Sequence, residues 1–270
     1  GTWQSTLTNF KYLNKKWKEN CEEERLLGVS MTGIMDCVTT NGKKEGIEEL
    51  LKRLKQVAID TNAQWAKKLS INPSAAITCV KPSGTVSQLV DSASGIHARH
   101  SQYYIRTVRA DKKDPLAKMM KDVGFPCEDD VTKPNHTSVY SFPVQGPKNG
   151  VGVYRTDRSA VEQLELWKVY QDNWCEHKPS VTISVKEDEW MNVGAWVYNN
   201  FDMMSGVSFL PFADHTYRQA PYQDCSKAEY EKLVASMPTD VDWEVKLAEY
   251  EHHDTTAGSQ ELACSGDTGC

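Results

Sequence analysis

The chain ends in Cys264-Ser265-Gly266-Asp267-Thr268-Gly269-Cys270, two thiols flanking glycines and small polar residues. Such a pair can close a disulfide ring with little strain. Thiol–disulfide exchange needs that freedom, because the attacking thiolate must line up with the target S–S bond. A redox dithiol is therefore one chemistry this spacing offers. A zinc site is another, but it needs two more ligands, and His252-His253 does not provide a common zinc spacing. Two idle surface thiols are the third. A second segment, Cys79-Val80-Lys81-Pro82-Ser83-Gly84-Thr85, reads as a strand emptying into a turn. Its backbone N–H groups, two hydroxyls and lysine could meet an anion, with glycine allowing close approach and a following helix adding its positive end. The Gly-Lys-Ser/Thr ending of a Walker loop is missing, so an ordinary strand-to-helix turn capped by Ser or Thr stays open beside phosphate binding.

The histidines are weaker signals. His97 and His100, with Arg99, follow the turn and could line an anion pocket, although solvated loop positions are the more common case. His177 and His215 sit at strand boundaries, where a hydrogen-bonded structural histidine is expected. Trp167, Tyr170, Trp174, Trp190, Trp196 and Tyr198 fall at helical spacing and read as core. Cysteines 21, 37, 79, 127, 175 and 225 are scattered without metal-like pairing, so reduced thiols are the default. No metal site is expected.

The elements that must hold these segments are legible in outline. Apolar residues at helical spacing predict helices from Leu13 to Leu26, Ile47 to Leu69, Pro115 to Val123, Ala160 to Cys175, Asp188 to Met204, Lys227 to Ala235 and Trp243 to Tyr250. Extended runs are Ala75–Val80, Tyr103–Val108, Ser138–Val144, Val181–Val185 and Val207–Leu210, with a glycine-rich loop over 145–158. Strands alternating with helices point to an α/β fold with a largely parallel sheet or barrel. Catalytic groups in such folds gather at the carboxyl ends of strands, where Lys81–Thr85 and Pro211–Gln223 lie. With no credible linker, residues 1–250 are expected to form one domain and 251–270 a flexible tail.

Composition narrows the classes. Hydrophobic residues at 39% and charged residues at 25% fit a soluble globular chain, and a net charge of −6 argues against a broad nucleic-acid surface. No apolar stretch is long enough to span a bilayer and no signal peptide opens the chain. Free cysteines in a chain able to build its own core imply a reducing compartment, hence the cytoplasm. The start at Gly1 instead of Met points to a fragment, a processed product or a split gene.

Several segments together resemble the cobalamin-dependent (class II) ribonucleoside-triphosphate reductases. They are Gly28-Val29-Ser30-Met31-Thr32-Gly33-Ile34, Ser74–Leu89, Pro179–Val185, Ser208-Phe209-Leu210-Pro211, Asp214–Tyr217, Gln219–Gln223 and Glu261-Leu262-Ala263-Cys264. The resemblance implies the carboxyl half of a ten-stranded α/β barrel and replacement of the ribose 2′-hydroxyl by hydrogen through thiyl-radical chemistry started by adenosylcobalamin. It implies that Pro82, Ser83, Gly84 and Thr85 hold substrate phosphates. Cys264 and Cys270 would be the dithiol that re-reduces the active site and is recharged by a thioredoxin-like protein. Tyr217, Tyr222 and Gln223 would lie at the barrel mouth. The tail pair has five intervening residues where the family usually has four, a difference that a flexible glycine-containing loop absorbs. The family's radical cysteine, catalytic glutamate and active-site disulfide match nothing in this chain, so an N-terminal partner fragment is expected and the chain alone is expected to be inactive. A non-catalytic phosphate-binding module with a regulatory disulfide is the competing reading.

Overall fold

The computed structural model describes residues 1–147, 150–212 and 217–252. In chain order its elements are α1 (Lys15–Glu24), β1 (Val29–Ser30), α2 (Ile47–Leu69), β2 (Thr78–Cys79), α3 (Val86–Leu89), β3 (Tyr103–Asp111), α4 (Pro115–Asp122), β4 (Cys127–Asp129), β5 (Thr137–Gln145), α5 (Ala160–Asn173), β6 (Val181–Val185), α6 (Trp190–Asn200), β7 (Val207–Pro211), β8 (Tyr222–Asp224), α7 (Lys227–Ala235) and α8 (Trp243–Ala248). Where one unit was expected over 1–250, the described residues group into two. Residues 1–99 with 147–212 form the first, and 100–146 with 217–252 the second.

The first unit contains the parallel pairs β1–β2 and β6–β7. Its core includes Ile34, Met35, Leu51, Val80, Leu164, Trp167, Tyr170 and Ile183, all essentially inaccessible. Helix α5 begins at a capping box, in which Ser159 and Glu162 satisfy each other's backbone N–H groups. It buries aromatic rings that would be costly without partners for their polar ends. Each finds one: the Trp167 indole N–H donates to Pro179 O at 3.1 Å, and the Tyr170 hydroxyl to Thr40 O at 2.8 Å. Just past the helix, the Trp174 indole donates to Cys79 O at 2.7 Å. This last bond fixes the exit of β2, where the Pro-Ser-Gly-Thr turn begins. Ser180 N donates to Val80 O at 2.9 Å, so the approach to β6 is also tied to that exit.

The second unit corrects the expectation of a largely parallel sheet. Its four strands, in the order β4–β5–β3–β8, are antiparallel throughout, with β3 and β5 paired from Tyr103↔Gln145 to Asp111↔Thr137. Apolar alternation marks a strand without giving its direction, and the eight-residue α4 between β3 and β4 resembled a parallel crossover. Strands β1, β4 and β8 escaped the sequence reading because two or three residues carry no period.

Candidate functional site

The turn after β2 sits on a rigid frame in the first unit. Parallel pairing of β1 with β2 brings Thr32, just beyond β1, beside it: the Thr32 and Ser83 hydroxyl oxygens are 3.4 Å apart. The Thr32 hydroxyl donates to Ala93 O at 3.0 Å and accepts from Gly95 N at 3.0 Å. Ser83 N donates to the Ser94 hydroxyl oxygen at 3.0 Å. Three segments distant in sequence thus converge around one hydroxyl cluster. Gly95 is required there: at φ +55° an added Cβ would lie 2.8 Å from Lys81 O. Gly84, at φ +54°, faces open space. Glycine at 84 leaves the turn's backbone open to approach.

A buried ion pair locks the other side of the frame. The Arg99 guanidinium, with the residue 5% exposed, donates to both carboxylate oxygens of Asp36 at 3.0 to 3.1 Å, and to Asp91 Oδ1 at 3.0 Å. Asp36 Oδ2 also accepts from Ala93 N at 2.7 Å. Arg99 is therefore a structural cation, contrary to the solvated loop position expected. His97 is likewise held. Its Nδ1 faces Ser94 O at 3.1 Å, and its Nε2 lies 3.0 Å from Thr182 N, an N–H that can only donate. That geometry demands the neutral ring protonated at Nδ1. Burial pushes its pKa below the ordinary value, only partly opposed by the Ser94 hydrogen bond.

The lysine of the segment does not project into the turn. Lys81 Nζ donates to Lys178 O at 2.6 Å and to the Ser180 hydroxyl oxygen at 3.0 Å. The groups left for a ligand are uncharged: the N–H groups of Gly84 and Thr85, which meet no acceptor among the described residues, and the Thr85 hydroxyl, while the Ser83 hydroxyl donates to Ser94 Oγ at 3.2 Å and would have to turn to reach a ligand. Helix α3 follows but is a single turn of four residues, too short to supply a helix-end field.

The other sequence-derived candidates lie elsewhere. Cys264 and Cys270 are outside the described residues, as are Asp214, His215 and Thr216. Tyr217, Tyr222 and Gln223 belong to the second unit. The Tyr222 ring stacks on His100 at 5.7 Å between centroids and carries the Arg106 guanidinium over it at 4.4 Å. The Gln223 amide donates to Ala220 O at 3.2 Å, and Tyr217 is exposed. The segment leading into β8 is strapped to β3: Thr107 N donates to Pro221 O at 3.0 Å, and its hydroxyl to Ala220 O at 2.9 Å. Buried Gln219 accepts from Val131 N and donates to Glu128 and Asp129. These bonds tie the Gln219–Gln223 segment to β3 and β4. His177 is structural, as expected, with Nε2 2.7 Å from Leu27 O. Thr32, Ser94 and Asp36 were missed as site residues, because nothing in local spacing signals contacts 11 to 63 residues apart.

Among the described residues no group of three or more His, Cys, Asp or Glu is placed to hold a metal ion, and no helix is long and apolar enough to cross a membrane. Burial pushes the Cys175 thiol up to about 12 and raises Cys79 as well. Both suit the inert reduced thiols expected.

No family model matches the chain. In fold it is similar to a B12-dependent (class II) ribonucleotide reductase of known crystal structure, with a TM-score of 0.75 and 25% identity over 87% of this chain and 36% of that one. In sequence it is similar to curated proteins named adenosylcobalamin-dependent ribonucleoside-triphosphate reductase. The Lactobacillus gasseri protein is 29% identical over 236 residues, covering 78% of this chain and 32% of the relative. The Euglena gracilis protein is 28% identical over 256 residues, covering 93% and 34%. The chain spans about a third of the length of the curated relatives it matches.

Proposed function

We propose that this chain is the C-terminal segment of an adenosylcobalamin-dependent ribonucleoside-triphosphate reductase, an oxidoreductase that makes deoxyribonucleotides for DNA synthesis. The observation that carries the reading is the similarity in fold and sequence to such reductases over most of the chain. In this reading Pro82 ends the strand, and Ser83, Gly84 and Thr85 hydrogen-bond the oxygens of a ribonucleoside triphosphate. The fixed frame then orients the ribose, which matters because one specific hydrogen must be abstracted. Per turnover the 2′-hydroxyl leaves as water and an active-site dithiol becomes a disulfide. Cys264 and Cys270 return two electrons and two protons by exchange, leaving their own disulfide for a thioredoxin-like protein to reduce. The radical-bearing part would be supplied by an N-terminal fragment, and the compartment would be the cytoplasm.

Adenosylcobalamin, when bound, supplies the homolysis that starts the radical chemistry. Two of the residues expected at the barrel mouth already have partners within the second unit. The Tyr222 ring is engaged by His100 and Arg106, and the Gln223 amide by Ala220. The reading has the cofactor shared with the missing half.

The test is deoxynucleotide formation from the full chain with adenosylcobalamin, with and without the portion of the Lactobacillus gasseri enzyme lying outside the matched region. Product only in the mixture is expected. With a thioredoxin system as reductant, Cys264→Ser with Cys270→Ser should abolish turnover while dithiothreitol still sustains it. Product from the chain alone would refute the missing-half reading. No product in the mixture, with triphosphate binding unaffected by Ser83→Ala and Thr85→Ala, would refute the reductase reading.

A further inference from the structure

In the first unit, the segment before α1 and one face of α1 enclose an open groove of about 390 Å3. Trp17, Asn20, Cys21 and Glu24 line it at i, i+3, i+4 and i+7, together with Leu7 and Leu26. Its walls are fixed. Arg25 donates to Ser5 O at 2.5 Å, and the Thr8 hydroxyl donates to Glu22 Oε1 at 2.8 Å. The groove is thus preformed, yet its apolar lining is uncovered: Leu7 is 73% exposed, Trp17 61% and Leu26 52%. Helix α1 buries no residue at all, while its Lys15–Glu19 and Lys18–Glu22 pairs form a polar flank. Trp3, Tyr12 and Leu13, also exposed, belong to the same segment. Within the groove itself, Leu7, Trp17 and Leu26 together expose on the order of 300–400 Å2. That falls within the range of the largest apolar patch of a typical monomer, about 300–600 Å2, a size that is often functional.

We infer that this groove docks an apolar segment of the reductase polypeptide that this chain lacks. The inference rests on the function proposed above. It commits to that occupant because the chain accounts for 32% of the Lactobacillus gasseri relative and 36% of the structural neighbour. In those proteins about two thirds of the polypeptide lies outside the matched region, ample to cover a surface of this size. Trp17 and Leu7 are the anchors, since truncating a central aromatic commonly weakens an interface by tenfold or more.

The experiment titrates the full chain against the portion of the Lactobacillus gasseri enzyme outside the matched region, by calorimetry and by hydrogen exchange. Binding is expected, with slowed exchange over residues 15–26. Leu7→Ser with Trp17→Ser should weaken it by about tenfold or more, while Met191→Ser, at an exposed position of α6, should not. Because α1 buries no residue, circular dichroism of the groove variant should match the wild type. Absence of wild-type binding overturns the inference, as does equal binding by the groove variant or protection confined to other regions. So does a wild-type dimer that Trp17→Ser dissociates, since a second copy would then be the occupant. If the groove variant supports turnover as well as the wild type, the docking fails alone. If binding is groove-dependent but no deoxynucleotide forms, the functional reading fails alone.

Discussion

Two glycines, Gly84 in the turn after β2 and Gly95 in the segment packed against it, have nearly identical φ angles and should respond differently to the same substitution. Gly84→Ala places a Cβ in open space at φ +54°, so its cost is the left-handed conformation alone, about 1–2 kcal/mol. Gly95→Ala incurs that cost at φ +55° and also drives a Cβ to 2.8 Å from Lys81 O, a backbone atom that cannot rotate away. Overpacking of this kind adds about 1–3 kcal/mol, so the total is about 2–5 kcal/mol. The difference between the variants isolates the contact from the backbone term. Urea unfolding followed by tryptophan fluorescence can measure it, because seven of the eight tryptophans lie in the first unit and only Trp243 in the second. Equal losses for the two variants would show that the 94–96 segment does not run against the β2 exit, and the frame described for the turn would be wrong.

Two further predictions follow from the same frame. Asp36→Ala should cost about 3–5 kcal/mol, since it removes the carboxylate that meets the buried Arg99 guanidinium through both oxygens; a loss under 1 kcal/mol in urea unfolding would contradict the buried pair. His97 makes stability depend on pH. Its folded pKa lies below the unfolded value near 6.5, so the contribution is complete above about pH 6.5 and is lost as pH falls from there through the folded pKa, where the unfolded chain binds a proton the folded one refuses. Between pH 7.5 and pH 5 the wild type should therefore lose more stability than His97→Asn, and parallel losses would refute this.

Residues close in sequence announced their structure, and residues brought together across the chain did not. Helix α2 runs from Ile47 to Leu69 and α7 from Lys227 to Ala235, both as periodicity predicts. Ser226 with Glu229 forms the same local capping box as Ser159 with Glu162. Fold class was legible for a similar reason, since alternation of periods reports element order. Strand direction was not, because it depends on where the chain returns: β8 joins β3 through Tyr104↔Asp224, a pairing local pattern does not contain. In the site, Pro82–Thr85 was visible as a turn. Its support was not, because Asp36 and Arg99 meet across 63 residues and each alone reads as an ordinary surface charge.

The electrostatics of the turn bear on how it would serve a triphosphate. The basic residues of the 79–99 stretch are already committed. Lys81 is tied to Lys178 O and Ser180, Arg99 to Asp36 and Asp91, and His97 is held neutral by the Thr182 N–H it accepts. The remaining donors are peptide N–H and hydroxyl groups. Neutral donors form weaker hydrogen bonds to an anion than ammonium or guanidinium groups do, but they can be aimed with equal accuracy when their backbone is rigid. Under the proposed function, then, the turn contributes orientation more than affinity. Its precision depends on Gly95, Trp174 and the Asp36–Arg99 pair, none of which need touch the ligand. Loosening that frame should therefore affect turnover more than binding, whereas losing the Ser83 or Thr85 hydroxyl should affect both.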